Sequence, residues 1–420
     1  MGIRFVTVVT HIENLELRKD TAQIPYQLGR LENAETSLVS YYYTLKGGRQ
    51  AGPLSVPPPS AADWEKDYPF LATEVPGLNL HFLADRGRGK FFEKAVLDYL
   101  RRNAKKIDIL NLFHFNAENV FYTLYYKLRN PQGKVYLKLD IDLPHYKKTR
   151  HFINATGKFG ALKAVLFTNL LLPVFFRLVH TVSAESIAGL NYFRERFNAP
   201  RRKLAVVKNG VDANLINQRV DQINTFDKKE NIIVTVGRIG TAQKNNKMLL
   251  SALEKIELSD WKVYFIGSVE QSFQLDINEF FQRNPNKRER VFFTGYISKP
   301  ADLYQYYNRA KIFCLTSIDE GFPISACEAL YFGNYLVLSD QIDCFDELTQ
   351  SGTFGKKIKV NDIHALAGCL NALIAEPKRL EPKCESAKVY AETNLTWQAI
   401  IPKLYQILKS KPNIAQEKNI

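Results

Sequence analysis

Short apolar runs alternate with segments of helical period along the chain, the pattern of α/β domains built on parallel sheets. In the first half, strands are predicted at Arg4–Val9, Ile107–Phe113 and Lys134–Leu139. The rhythm is clearer in the second half. Ile232–Val236, Val263–Ile266, Val291–Phe293, Ile312–Leu315 and Tyr335–Leu338 read as five strands buried on both faces, with helical segments of roughly ten residues between them. Proline-rich Gly52–Ser60 predicts a surface loop, and mostly polar Asp221–Glu230 an exposed segment. Asn209-Gly210-Val211-Asp212 is a turn signal after the apolar run Leu204–Val207 and marks a domain junction. Trp397–Leu408 predicts a helix with Trp397, Ile400, Ile401, Leu404 and Ile407 or Leu408 on one face. Pro402 is expected to kink that helix or to mark its start.

At 420 residues the chain exceeds one compact core, so two domains are expected. They are drawn as residues 1–206 and 207–390, followed by a C-terminal helix over 391–410. A hydrophobic content of 45% excludes general disorder. The net charge of +14 is uneven: residues 1–205 carry +12 and the remainder +2. A one-sided basic field suits a polyanion or an anionic membrane surface, or simply a soluble basic domain. Nucleic acid is the weaker reading, because zinc-finger spacing, an RNP-like aromatic strand and a basic coiled coil are all absent from the sequence. The five cysteines are odd in number and form no CxxC pair, which fits a reducing cytosol without a disulfide frame or a zinc site. The apolar part of the N-terminus is too short for a signal peptide and reads as a first strand.

Phe159–Val179 approaches transmembrane length but holds Lys163, Asn169, Pro173 and Arg177, and the basic stretch His145–Lys158 precedes it. A spanning helix needs about 20 nearly uncharged residues. The segment reads either as an amphipathic helix on a membrane surface or as a helix buried against the first sheet. The location that follows is cytoplasmic, peripheral on the inner face of the plasma membrane in the first case.

Two loops carry the candidate chemistry. After the strand Ile312–Leu315 come Asp319, Glu320, Gly321, Phe322 and Pro323, then a helix bearing Glu328. In open parallel sheets, ligands bind beyond the carboxyl ends of strands, so Glu320 and Glu328 can accept hydrogen bonds from the hydroxyls of a sugar and a ribose. Two solvated surface acids are the alternative. After the strand Ile232–Val236, Gly237 and Gly240 permit close backbone approach, while Arg238 and Lys244 place two cations over one loop. A helix N-terminus near Asn245 adds positive potential, completing a pyrophosphate site without a metal.

Gly237-Arg238 with Lys244-Asn245, Phe293-Thr294-Gly295-Tyr296, and Glu320 to Glu328 in E-x7-E spacing follow in order. Together with the hinge-like Asn209–Asp212, this set resembles glycosyltransferase family 4, the large retaining GT-B family, over roughly residues 205–345. The resemblance implies an α/β GT-B fold: two Rossmann-like domains with parallel sheets facing across a cleft. It implies that Arg238 and Lys244 neutralise a departing diphosphate, that Glu328 holds the ribose and that Glu320 touches the sugar. Gly321, Phe322 and Pro323 would offer backbone groups, and the main chain around Tyr296 would face the nucleobase. His114, at a strand end of the first domain, is expected to face the donor sugar, with a satisfied strand-end imidazole as its alternative. The C-terminal helix is expected to cross back onto the first domain.

The family's first loop is commonly glycine-rich, whereas Glu13–Ala22 contains no glycine. Lys19 and Thr21, with Arg18, are candidates there for an anionic acceptor or donor, or belong to an exposed polar loop. Asp140-Ile141-Asp142 spells DxD, the metal signature of a different transferase fold. It is discounted because a cationic phosphate site exists elsewhere, and Asp140 is kept as an acceptor contact.

The resulting expectation is a retaining hexosyltransferase needing neither metal nor cofactor. It would move a sugar from a nucleotide-sugar donor to a hydroxyl of a glycan or lipid-linked acceptor, in bacterial surface polysaccharide assembly. The rivals are a non-catalytic GT-B scaffold or sugar-nucleotide-binding protein, an epimerase of the same architecture, and a basic nucleic-acid-binding protein.

Overall fold

The computed structural model describes residues 2–46, 49–54, 61–87, 89, 92–141 and 167–410. The chain forms two compact units. Of the described residues, one holds those up to Lys208 and again from Trp397; the other holds Asn209–Thr396. The division falls after Lys208, just before the turn Asn209–Asp212, where Asp212 caps the helix Ala213–Arg219 by accepting from Asn214 N and Leu215 N.

The first unit is built on a seven-stranded, all-parallel sheet. In chain order its strands are β1 (Arg4–Val8), β2 (Glu35–Tyr41), β5 (Leu80–Leu83), β6 (Ile109–Phe113), β7 (Lys134–Lys138), β8 (Thr181–Ala184) and β9 (Leu204–Val206). They lie in the order β5-β2-β1-β6-β7-β8-β9. A separate hairpin pairs β3 (Tyr43–Lys46) with β4 (Arg49–Pro53), so the first residues of the predicted Gly52–Ser60 loop are strand. Residues 55–60 of that loop lie outside the described residues.

The second unit has six parallel strands: β10 (Ile232–Val236), β11 (Lys262–Ile266), β12 (Val291–Gly295), β13 (Ile312–Leu315), β14 (Tyr335–Ser339) and β15 (Gly355–Ile358). Their order is β12-β11-β10-β13-β14-β15. Both sheets grow from a first strand toward one edge and then reverse. The reversal falls between β1 and β6 in one unit and between β10 and β13 in the other. Loops leaving the two strands at such a point diverge and open a crevice, which is where α/β sheets bind ligands. Each unit is therefore Rossmann-like, as the alternation of apolar runs and helical segments led one to expect.

Within Asp221–Glu230, expected to be exposed, Phe226 and Lys229 are buried. Lys229 Nζ donates to the carbonyls of Tyr307, Asn308 and Ala310 at 3.0–3.3 Å, capping the helix Pro300–Arg309 at its negative end. The chain's last described helix, Trp397–Lys409, runs through Pro402, so the proline does not mark its start. Its Trp397, Ile400, Ile401, Leu404 and Leu408 are buried with Phe5, Ile24, Leu28 and Ile109 of the first unit. Lys134 Nζ donates to the carbonyls of Leu408 and Lys409 at 2.7 and 2.9 Å, and a His180 ring nitrogen lies 2.9 Å from Ser410 O.

Candidate active site

In the second unit, the loops after β10 and β13 are knitted together at the sheet's reversal. Gln243 accepts from Arg238 Nη2 at 3.1 Å and donates to Asp319 O at 3.2 Å, while its own carbonyl accepts from Ile318 N at 2.8 Å. Thr316 Oγ1 donates to the carbonyls of Lys244 and Asn245 at 3.2 and 3.0 Å. The loop's glycines serve close approach. A Cβ on Gly237 would sit 3.1 Å from Lys244 Cε, and one on Gly240, at φ +87°, would meet the Phe273 side chain at 2.3 Å. Asn245, at φ 47°, turns the chain into the helix Asn246–Leu253, and Asn246 Oδ1 accepts from Gly240 N at 2.8 Å.

The structure brings Lys244 and Glu320 into direct contact. Lys244 Nζ donates to Glu320 Oε1, and Ser317 Oγ donates to the same oxygen at 3.0 Å. Both partners are mostly buried, their side chains 14% and 12% exposed. Lys244 is therefore an ammonium already held by a carboxylate, whereas Arg238 is exposed. An arriving diphosphate would compete with Glu320 for Lys244, and Glu320 would then be released toward a hydroxyl.

Glu328 lies in the second turn of the helix Ile324–Tyr331 and is buried. Its Oε2 accepts from the Tyr307 hydroxyl at 3.0 Å. Sequence reasoning missed this tyrosine because it sits 21 residues upstream on another helix, and only burial of its hydroxyl gives it a role. Of the backbone candidates, Phe322 is buried and its carbonyl accepts from Asn209 Nδ2 at 3.3 Å. Pro323 is the N-cap of the Glu328 helix, next to Gly321 and Phe322 on the same loop. Tyr296, after Gly295 at φ 71°, is 61% exposed.

The first unit has its own pocket at the β1/β6 reversal, a cavity of about 160 Å³. Lys19, Thr21, His114 and Asp140 all line it, together with Asn116, Asn119 and Tyr122. Lys19 N-caps the helix Asp20–Glu32, so Thr21 stands in the first turn, where backbone N–H groups favour an anion. The Glu13–Ala22 segment, expected to be a glycine-free loop, is thus a short 3-10 turn over Asn14–Arg18 running into that helix.

His114 occupies the left-handed region at φ 64°, a conformation that costs on the order of 1–3 kcal/mol outside glycine and persists only where neighbours enforce it. They do so here. His114 N donates to Lys138 O at 2.9 Å, and Asn119 Nδ2 donates to the carbonyls of Phe113 and His114 at 2.5 and 2.8 Å. His114 is exposed and lines the pocket. Of the DxD signature, Asp140 is exposed on the pocket wall, and Asp142 lies outside the described residues.

The structural comparisons follow this architecture. A crystal structure of Anabaena HepE in complex with UDP superposes with a TM-score of 0.66 at 15% identity, covering 97% of this chain and 99% of that one. At such identity the likeness concerns the fold, which is GT-B. Among curated proteins, the lipopolysaccharide 1,6-galactosyltransferase of Escherichia coli is 25% identical over 235 residues, 53% of this chain and 64% of the relative. The amylovoran biosynthesis glycosyltransferase AmsD of Erwinia amylovora is 26% identical over 128 residues, 30% of this chain and 34% of AmsD. The matches thus span less than two thirds of the length of either relative. Residues 217–393, which include Arg238, Lys244, Tyr296, Glu320 and Glu328, match the model of the family described as glycosyl transferases group 1.

Proposed function

We propose that the chain is a retaining, metal-independent glycosyltransferase that moves a sugar from a nucleotide-sugar donor to a hydroxyl of a glycan or lipid-linked acceptor. The observation that carries this reading is the coincidence of the family match over 217–393 with a paired cation and carboxylate, Lys244 and Glu320, at the reversal of the second sheet. When the anomeric C–O bond breaks, the leaving nucleoside diphosphate gains negative charge. Arg238, Lys244 and the N-terminus of the helix Asn246–Leu253 are the groups that would stabilise it. Glu320 would bind the sugar and Glu328 the ribose. We assign the acceptor to the first-unit pocket with Lys19, Thr21 and Asp140, and name His114 as the imidazole that takes part in transfer.

HepE is described in complex with UDP, and the two curated relatives are named for lipopolysaccharide and amylovoran. Those names support a nucleotide-sugar donor, with uridine as the first base to try, and an acceptor in bacterial surface polysaccharide assembly. Thermal-shift screening against UDP-, GDP-, ADP- and CMP-sugars should yield one stabilising base, followed by release of the nucleoside diphosphate. Activity should survive EDTA. Complete loss restored by Mn²⁺ would overturn the metal-free chemistry and promote the DxD carboxylates. Donor binding without hydrolysis or transfer would leave a sugar-nucleotide-binding protein.

Docking of the first unit on an anionic membrane in the cytoplasm belongs to the same proposal. His145–Lys158 and Phe159–Leu166 lie outside the described residues. Immediately after them Leu170, Leu171 and Val174 are exposed, and Arg177, Arg196 and Arg202 line a cavity of about 730 Å³. Among the described residues no helix is long and apolar enough to cross a membrane. Each arginine near an anionic surface contributes on the order of 1 kcal/mol, and inserted leucines add to it. Co-sedimentation with anionic liposomes should be strong at low salt and weak at high salt. Equal binding to neutral and anionic vesicles, or binding to neither, would remove the membrane from the reading.

A further inference from the structure

Beneath the first-unit pocket lies a buried ion cluster that no part of the proposed chemistry uses. Lys138, the last residue of β7, is fully buried. Its ammonium lies 2.5 Å from Glu185 Oε1 and 3.0 Å from Asp20 Oδ2, and it donates to Leu139 O at 3.2 Å. Burial alone would pull the lysine toward neutrality, but Glu185 and Asp20 outweigh it and hold the charge. Burial pushes the Glu185 carboxyl up to about 8 against the pull of Lys138, so desolvation offsets most of the attraction and the cluster is a weak source of net stability. Its geometry suggests another use.

Two walls of the pocket are moored to the ammonium of this lysine, and a third to its main-chain carbonyl. Asp20 opens the helix Asp20–Glu32 and lines the pocket itself, between Lys19 just before the helix and Thr21 in its first turn. The Lys138 carbonyl accepts from His114 N and holds the left-handed turn there. Asp140 is bracketed on both sides. Leu139 O takes a bond from the Lys138 ammonium, and Ile141 N donates to Glu185 Oε2 at 3.4 Å. The three segments lie around positions 20, 114 and 140, and the fold gathers them about this one residue.

We propose that Lys138, braced by Glu185, is the positioning residue of the first-unit pocket, fixing Lys19, Thr21 and Asp140 as one acceptor-binding surface. This rests on the reading of that pocket as the acceptor site. Neither Lys138 nor Glu185 lines the pocket, so each acts through the residues it holds. Because the cluster lies wholly within the first unit, it leaves the Lys244–Glu320 site of the second unit untouched.

The test compares two reactions of the full chain: slow hydrolysis of the sugar nucleotide by water, and transfer to a panel of octyl glycosides. Glu185→Gln keeps the side chain's size, and Lys138→Met removes the ammonium. Glu185→Gln should lower transfer at least tenfold, chiefly through acceptor KM, while hydrolysis and the donor-induced thermal shift stay at wild-type values. Lys138→Met should do the same more severely if it folds, and Glu185→Gln decides the matter if it does not. A fall in hydrolysis and transfer together, or a lowered Tm with unchanged acceptor KM, would show a merely structural cluster and overturn the proposal. Where no octyl glycoside is accepted, loss of hydrolysis in Glu185→Gln overturns it equally. A wild-type chain that neither hydrolyses nor transfers removes the glycosyltransferase reading itself, and the acceptor role with it. That result is distinct from a failure confined to the variants.

Discussion

Lys244→Ala is expected to lower kcat about 10²–10³-fold, the loss typical when one preorganised group facing developing negative charge is removed. The same substitution should cost about 1–3 kcal/mol of stability, because Glu320 is then left mostly buried, with the Ser317 hydroxyl as its one remaining side-chain donor among the described residues. Arg238→Ala separates the two effects. Arg238 is exposed and its guanidinium donates to Gln243, so its loss should depress kcat in the same direction while Tm stays within about a degree. Steady-state kinetics beside a melting curve checks both. Wild-type turnover in either variant would remove the phosphate assignment. A Lys244→Ala protein with unchanged Tm would show that the ion pair contributes nothing to the fold.

Glu328→Ala should act on binding rather than on the chemical step. A carboxylate taking two ribose hydroxyls contributes hydrogen bonds of about 1.5–3 kcal/mol each, so donor KM is expected to rise about 10²-fold or more with kcat much less affected. Tyr307→Phe should move donor KM in the same direction by a smaller factor. It leaves the carboxylate in place but removes the 3.0 Å bond that orients Oε2. A lowered kcat with unchanged KM in Glu328→Ala would place this residue at the reacting centre and contradict the ribose assignment. Equal donor KM in Tyr307→Phe and the wild type would show that the tyrosine merely fills space in the core.

What could be read from the residues alone followed from local rules. β10, β13 and β14 are legible because a strand covered on both faces reads as a near-continuous apolar run, as in IIVTV, IFCL and YLVLS. Strands with polar positions gave no such signal. β15 reads GKKI, with both lysines exposed, and β2 begins with the polar Glu35, Thr36 and Ser37. β8 is four residues of mixed polarity, TVSA, buried by its neighbours rather than by its own composition.

The candidate site divides the same way. Glycines after an apolar strand, a Gly-Arg step and the E-x7-E spacing are properties of one stretch of chain, so the sequence by itself pointed to Arg238, Lys244, Glu320 and Glu328. It also placed them after strands of a parallel sheet, where ligands bind. Only the tertiary structure decided that Lys244 is held by Glu320 across 76 residues of sequence, and that Glu328 is held by Tyr307. It also decided that Lys138 in KVYLK is a fully buried cation rather than a solvated strand end. Hydrophobic period and turn chemistry are written in neighbouring residues. The partner of a buried charge is set by sheet order, which brings β10 beside β13 and β7 beside β8, and no local pattern encodes that order.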